Sequence, residues 1–163
     1  MYDTPLTNEQ IIAALSAAPA RLAELTAGLS PEQLLAPPAA GEWSARDVLA
    51  HLRACADVWG GYIAKILREE RPAIRAVSPR TWIKQTVYLR QDFAPSLAAF
   101  SAQRSGLLAL LRSLAPQDWQ RLAVVTAVGK TQERSLYTYA QWIANHERSH
   151  LRQVEEIVAA LQA

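Results

Sequence analysis

Two of the three histidines in the chain lie four residues apart near its C-terminal end, in His146-Glu147-Arg148-Ser149-His150. Four residues make just over one helical turn, so on a helix both imidazoles project from the same face and can bind one divalent metal ion. The third histidine, His51, lies shortly after a helix-start pattern at Trp43-Ser44. If the two helices pack side by side, all three rings converge. The spacing therefore predicts a metal site formed by His51, His146 and His150.

The number and type of these ligands indicate what the site could do. Neutral imidazole is a common ligand of divalent transition metals, and the candidate ions are Zn, Ni, Fe and Mn. Three protein ligands leave coordination positions open for water or substrate, as in catalytic sites. The alternative is that each histidine is a hydrogen-bonded core residue. Burying three titratable rings without partners would be unfavourable, which favours the metal site.

The pentapeptide also matches the HExxH pattern of zinc proteases, in which the glutamate activates metal-bound water. The extended protease pattern requires a glycine and a further histidine, but Gln153 and Glu156 occupy those positions. The other common type takes a glutamate from well beyond the second histidine, whereas only 13 residues follow His150. A protease is therefore disfavoured. Glu147 is kept as a candidate catalytic base, with a solvated surface charge as the alternative.

Composition narrows the class of protein. A length of 163 residues predicts one domain over residues 1–163. Half of the residues are hydrophobic, but no apolar run is long enough to suggest a membrane span. The N-terminal stretch lacks the pattern of a secretory signal, and the single Cys55 predicts a reducing, cytoplasmic location. A formal charge of +2 without a Lys/Arg block gives no indication of nucleic-acid binding.

The apolar periodicity predicts four long helices and a connecting region between the second and third. The first runs from about Ile11 to Leu29, with Pro19 causing a kink or a break. The second begins at Ser44, which with Asp47 forms a variant capping box. Residues 122–128 are rich in β-branched residues and precede Gly129. We expect an all-α fold: an antiparallel four-helix bundle with a long crossover connection and a short β-hairpin before the last helix. The predicted bounds of the remaining long segments are 44–67, 93–114 and 135–161.

Other residues could contribute to the site. Cys55 follows His51 by one turn and could approach the metal, although a lone buried cysteine is more often a small core residue. Arg104 interrupts an apolar stripe, where it could pair with an acidic substrate group, pair with a core acid or extend to solvent. Trp82 and Tyr88 in the crossover could form a wall of the cavity or pack against the bundle.

A resemblance to a known family is carried by Trp43-Ser44-Ala45-Arg46-Asp47-Val48-Leu49-Ala50-His51-Leu52, by Gly129, and by the stretch from His146 to Gln153. These motifs resemble the DinB/YfiT-like superfamily over nearly the whole chain. The resemblance implies a four-helix bundle whose metal site takes one histidine from the second helix and two from the last. The matching positions are His51, His146 and His150. Despite the damage-inducible name, the resemblance implies no DNA binding.

The resemblance also implies candidate activities. Family members include S-transferases and isomerases that use low-molecular-weight thiols such as bacillithiol or mycothiol, and similar proteins are often homodimers. We therefore expect metal-activated transfer or hydrolysis on a small molecule, with a low-molecular-weight thiol as one candidate substrate. The alternative function is a non-enzymatic bundle that binds a metal or a ligand as a sensor, carrier or dimerising module.

Overall fold

The computed structural model describes residues 4–163, and most of this part of the chain is helical. The helices of the described residues are α1 (Asn8–Thr26), α2 (Pro31–Leu35), α3 (Ala45–Arg68), α4 (Pro79–Trp82), α5 (Phe93–Arg112) and α6 (Leu136–Gln162). Short 3-10 turns occupy Ile83–Gln85, Tyr88–Arg90 and Pro116–Gln120.

The four long helices pack as a bundle. Helices α1 and α3 each pack against both α5 and α6, which places α5 and α6 at opposite corners. Apolar residues of all four helices meet inside; examples are Ile11, Leu22, Leu49, Phe100 and Ile143. Burial of such side chains from water is the main stabilising contribution to a bundle of this kind. The predicted four-helix bundle is therefore confirmed.

The start of α3 follows the sequence pattern closely. The Ser44 side chain accepts a hydrogen bond from the Asp47 backbone N–H, and Asp47 Oδ2 accepts one from the Ser44 backbone N–H. This reciprocal arrangement satisfies two backbone donors that a helix N-terminus would otherwise leave unpaired. Ser135 caps α6 by accepting from the Thr138 backbone N–H. Both helices that carry the histidines thus begin where the sequence predicts.

A three-stranded sheet lies beside the bundle, so an all-α description is only approximate. Its strands are β1 (Ala73–Arg75), β2 (Leu122–Ala127) and β3 (Lys130–Ser135). The antiparallel β2–β3 hairpin confirms the sequence prediction; Val128 and Gly129, both with positive φ, form its tight turn. Strand β1 pairs in parallel with β2, with Ile74 opposite Val125. This strand was not predicted, because its partner is about fifty residues away and three residues show no useful periodicity.

The region around Pro19 and the following connection differ from the sequence expectation in detail. Helix α1 contains Pro19 and continues without a break, but it ends at Thr26, before Leu29. Ser30 caps the five-residue helix α2, which the apolar periodicity did not predict. Pro31 can occupy the first turn of α2, where its missing N–H needs no helical partner.

The crossover between α3 and α5 is attached to the bundle through Asp57 on α3. Asp57 Oδ2 accepts hydrogen bonds from the Trp82 indole N–H at 2.9 Å and from the Tyr88 hydroxyl at 2.7 Å. Asp57 Oδ1 accepts one from the Gln103 side-chain amide of α5 at 2.5 Å. One carboxylate therefore joins the crossover to two helices. Within residues 4–163, no helix has the length and apolarity needed to cross a membrane.

Candidate metal centre

The three histidines come together because α3 and α6 are neighbours in the bundle. His51 lies in the second turn of α3, while His146 and His150 occupy successive turns of α6. His146 Nε2 is 3.2 Å from His51 Nε2 and 3.2 Å from His150 Nε2. The structure therefore brings together the three residues that the sequence singled out.

These separations match the geometry of a metal site. Ligand bonds of about 2.0–2.1 Å with tetrahedral angles place two nitrogens about 3.3–3.4 Å apart. The observed 3.2 Å agrees to within about 0.2 Å, the margin expected for a credible site. Hydrogen bonding between the rings explains the cluster less well. His146 Nε2 can donate one proton or accept one, so it can form a good hydrogen bond to only one of its two ring neighbours.

The orientation of one ring is set by a neighbouring side chain. His150 Nδ1 lies 2.7 Å from Gln153 Oε1, one turn further along α6. An amide oxygen only accepts, so the ring proton is on Nδ1 and the Nε2 lone pair is directed at the other histidines. Such partners commonly orient metal-binding histidines. This role of Gln153 was not predicted from the sequence, although its three-residue spacing from His150 could have indicated it.

The environment keeps all three imidazoles neutral near pH 7. Burial lowers the pKa of His51 to about 4 and that of His146 to about 3, with smaller contributions from neighbouring positive charge, including Arg80. Burial also lowers the pKa of His150, partly offset by its hydrogen bond to Gln153. A neutral imidazole offers a lone pair, so the electrostatics favour metal binding over protonation.

Cys55 lies on the buried side of the same cluster. Its Sγ is 3.5 Å from His51 Nε2, and the side chain is 2 % exposed. The ligand atoms of His51, Cys55 and His146 all lie within 4.8 Å of one another, which also suits one ion. Burial raises the pKa of the Cys55 thiol to about 12. Cys55 is thus both a core residue and a neighbour of the histidines, the two possibilities that the sequence left open.

Glu147, the predicted candidate base, is next to His146 but makes a different contact. Its carboxylate forms an ion pair with Arg104 of α5, and both side chains are almost completely buried. Burial lowers the pKa of Arg104 to about 10, which leaves the guanidinium charged at pH 7. Of the alternatives weighed for Arg104, the structure shows pairing with a core acid. A role for Glu147 as a base stays a prediction.

Two cavities that share wall residues reach two of the histidines, His150 and His51. One, of about 630 Å³, is lined by His150 and Gln153, and the other, of about 340 Å³, by His51 and Asp47. Trp43 and Arg80 line both. Arg80 was not foreseen, because the crossover has no periodicity that would place it over α3 and α6.

The two aromatic residues proposed as cavity walls have other contacts. Trp82 and Tyr88 hydrogen-bond to Asp57, and Tyr88 also stacks under the Arg53 guanidinium at 3.8 Å. Neither lines the two cavities beside the histidines; Ile83 and Leu89 of the crossover line the smaller one instead. The crossover therefore does cover the site, but through different side chains.

Comparison with known proteins agrees with this geometry. The sequence profile of the DinB superfamily matches residues 14–154. The chain belongs to the DinB superfamily. Two relatives carry the name "Putative metal-dependent hydrolase". The one from Bacillus licheniformis is 31 % identical over 149 residues, covering 88 % of this chain and 82 % of the relative. The one from Geobacillus thermodenitrificans is 29 % identical over 149 residues, covering 88 % and 79 %.

A solved structure supports the assignment of the fold. YfiT from Bacillus subtilis, described as a probable metal-dependent hydrolase with an unusual four-helix bundle topology, superimposes with a TM-score of 0.77 and 25 % sequence identity. The match covers 96 % of this chain and 90 % of YfiT. This chain thus shares its bundle fold with YfiT and is similar in sequence to relatives whose names refer to metal dependence.

Proposed function

We propose that His51, His146 and His150 bind one divalent metal ion through their Nε2 atoms and that the protein uses it for transfer or hydrolysis of a group on a small molecule. The observation that carries this proposal is the 3.2 Å spacing of His146 Nε2 from the other two Nε2 atoms. When bound, such an ion lowers the pKa of a coordinated water or thiol and so supplies a nucleophile near neutral pH.

The residues around the histidines have separate roles in this proposal. Gln153 orients His150, and the two cavities accommodate a substrate of ordinary small-molecule size, since typical ligand pockets measure about 300–1,000 Å³. Trp43 supplies an apolar wall and is stacked near His150, with 6.0 Å between ring centroids. The Arg80 guanidinium brings positive charge to the mouth, where it favours a substrate with an anionic group.

Thiol S-transfer is the specific reaction that the proposal favours. The family resemblance supplies the reaction class, and Arg80 supports it, because a positive charge near the histidines stabilises a thiolate. Glu147 is paired with Arg104 in the core, so we propose that Glu147 acts in the folded scaffold and not as the base. The predicted homodimer and cytoplasmic location stay predictions.

Metal analysis of untagged protein tests the site. We expect about one equivalent of Zn or Ni per chain after loading. His150→Ala should abolish stoichiometric uptake, and the matched control Gln153→Ala should retain the stoichiometry but lose affinity by about 10- to 100-fold, because Gln153 only orients a ligand. Full uptake by His150→Ala would show that the proposed ligand set is wrong.

Activity requires a separate measurement. A panel of low-molecular-weight thiols and electrophiles should show turnover that disappears on metal removal and returns on reloading. Arg80→Gln should raise KM for anionic substrates more than for neutral ones. Metal binding without turnover on any thiol or hydrolysable substrate would favour the alternative function, a non-enzymatic metal-binding bundle.

A further inference from the structure

We propose that Cys55 is a fourth protein ligand of the same metal ion, so that the resting site contains three imidazoles and one thiolate. This inference rests on the metal site proposed above. It adds one sulfur donor to the three nitrogen donors and leaves fewer coordination positions of the ion open to a substrate. The evidence is the place of Cys55 Sγ beside His51 and His146.

The distance from the thiol to its nearest histidine agrees with shared coordination. Zn–S bonds of about 2.3 Å and Zn–N bonds of about 2.0–2.1 Å at tetrahedral angles give an S to N separation of about 3.5–3.6 Å. Cys55 Sγ is 3.5 Å from His51 Nε2. The Sγ atom also lies within 4.8 Å of a ring nitrogen of His146, so Cys55, His51 and His146 form a group of three possible ligands.

An ordinary thiol hydrogen bond accounts for this contact less completely. His51 Nε2 already lies 3.2 Å from His146 Nε2, and one ring nitrogen has a single proton or a single lone pair. It therefore cannot form good hydrogen bonds to both neighbours. A single cation would be held by all three of these ligand atoms together; Cys55 is buried in the core, whereas His150 lines a cavity.

The coordination step is chemically simple. The Cys55 S–H bond breaks, the sulfur lone pair forms a bond to the cation, and the proton leaves to solvent or buffer; no oxidant or reductant takes part. A coordinating thiol is deprotonated by the cation itself. A thiolate also changes metal preference, because it favours Zn and Co over the harder Mn. With four protein ligands, an incoming substrate must raise the coordination number to five or displace a ligand.

Cobalt spectroscopy tests this directly. Metal-free protein, reduced and then desalted anaerobically to remove added thiols, is titrated with Co(II). Wild type should bind one equivalent and show both visible d–d bands and a near-ultraviolet thiolate-to-cobalt charge-transfer band. Because Cys55 is the only cysteine in the chain, that band can arise only from Cys55. The wild-type spectrum is therefore decisive even if a substituted protein fails to fold.

A matched variant strengthens the test. Cys55→Ser should still bind one equivalent of cobalt through the histidines, keep visible d–d bands and lose the charge-transfer band. One equivalent of cobalt in wild type with no charge-transfer band would overturn the role of Cys55 and leave the three-histidine proposal intact. No cobalt uptake by wild type would overturn both proposals.

Discussion

His146 and Glu147 are consecutive residues of α6, yet they belong to two polar clusters with opposite properties. His146 joins two other imidazoles that burial keeps neutral, next to cavities that reach solvent. Glu147 joins Arg104, and the two charges neutralise each other inside the bundle. Buried neutral imidazoles retain lone pairs that can bind a cation. In a buried ion pair, the carboxylate is already bound to the guanidinium and is not available to bind a metal ion. The histidine cluster is therefore better suited than the ion pair to bind a metal ion and take part in a reaction.

The largest predicted effect concerns the ion pair. Glu147→Gln leaves the Arg104 charge buried without its partner, which should lower the free energy of unfolding by about 3–5 kcal/mol. Urea unfolding followed by circular dichroism measures this. Replacing both residues with apolar ones, Arg104→Met with Glu147→Met, should restore most of the lost stability. If the double variant were no more stable than Glu147→Gln, an uncompensated charge would not be the cause.

The histidine cluster should make the metal-free protein sensitive to acid. The pKa of His51 is about 4 and that of His146 about 3, against about 6.5 for an unfolded histidine. Below about pH 6.5 the unfolded chain binds protons that the folded protein does not, so the free energy of unfolding should fall as the pH drops towards 4. Urea unfolding between pH 7.5 and 5.5 reveals this slope before most carboxylates titrate.

In the same pH series, two variants show which of the two clusters causes the pH dependence of the free energy of unfolding. His146→Asn removes one titrating ring and should make the slope shallower. The Arg104→Met, Glu147→Met double variant should leave it unchanged, since the pKa of Arg104 is about 10, well above this range. An equal slope in wild type and His146→Asn would contradict the assignment of the acid sensitivity to the histidines.

The smallest predicted effect concerns the cap that begins α3. Ser44→Ala removes a buried cap and should reduce stability by about 1 kcal/mol, with metal stoichiometry unchanged because His51 lies almost two turns further along. Thr7→Ala is the matched control, since Thr7 and Gln10 form the same capping box at the exposed start of α1. Thermal unfolding should show a smaller change for Thr7→Ala; loss of metal binding in Ser44→Ala would mean that the cap also positions His51.

Local patterns predicted much of this molecule. The Ser44 cap, the spacing of His146 and His150, and the hairpin turn at Gly129 each depend on residues close in sequence, and the structure has all three. Strand β1 and Arg80 were missed for a common reason. Both owe their positions to partners distant in the chain: the backbone of β2 for the strand, and α3 and α6 for the arginine.

The pairing of Arg104 with Glu147 shows the same limit within the bundle. An arginine on an apolar stripe indicates that a charge is buried or extends outward, but only the packing of α5 opposite α6 selects the acid it meets. The same holds for Cys55: its one-turn spacing from His51 follows from the helix, whereas its position next to His146 depends on how two helices pack.

The three hydrogen bonds accepted by Asp57 have a consequence for ligand affinity. The bond from Trp82 holds α4, and therefore the backbone that carries Arg80, against α3 before any ligand arrives. The bonds from Tyr88 and Gln103 attach a later turn of the crossover and α5 to the same carboxylate. A wall already held in place loses little conformational entropy when a ligand binds, so less of the interaction energy is spent on ordering it. The crossover is thus a preorganised part of the pocket. Discrimination between ligands there depends on how well each one fits a surface that is already formed before binding.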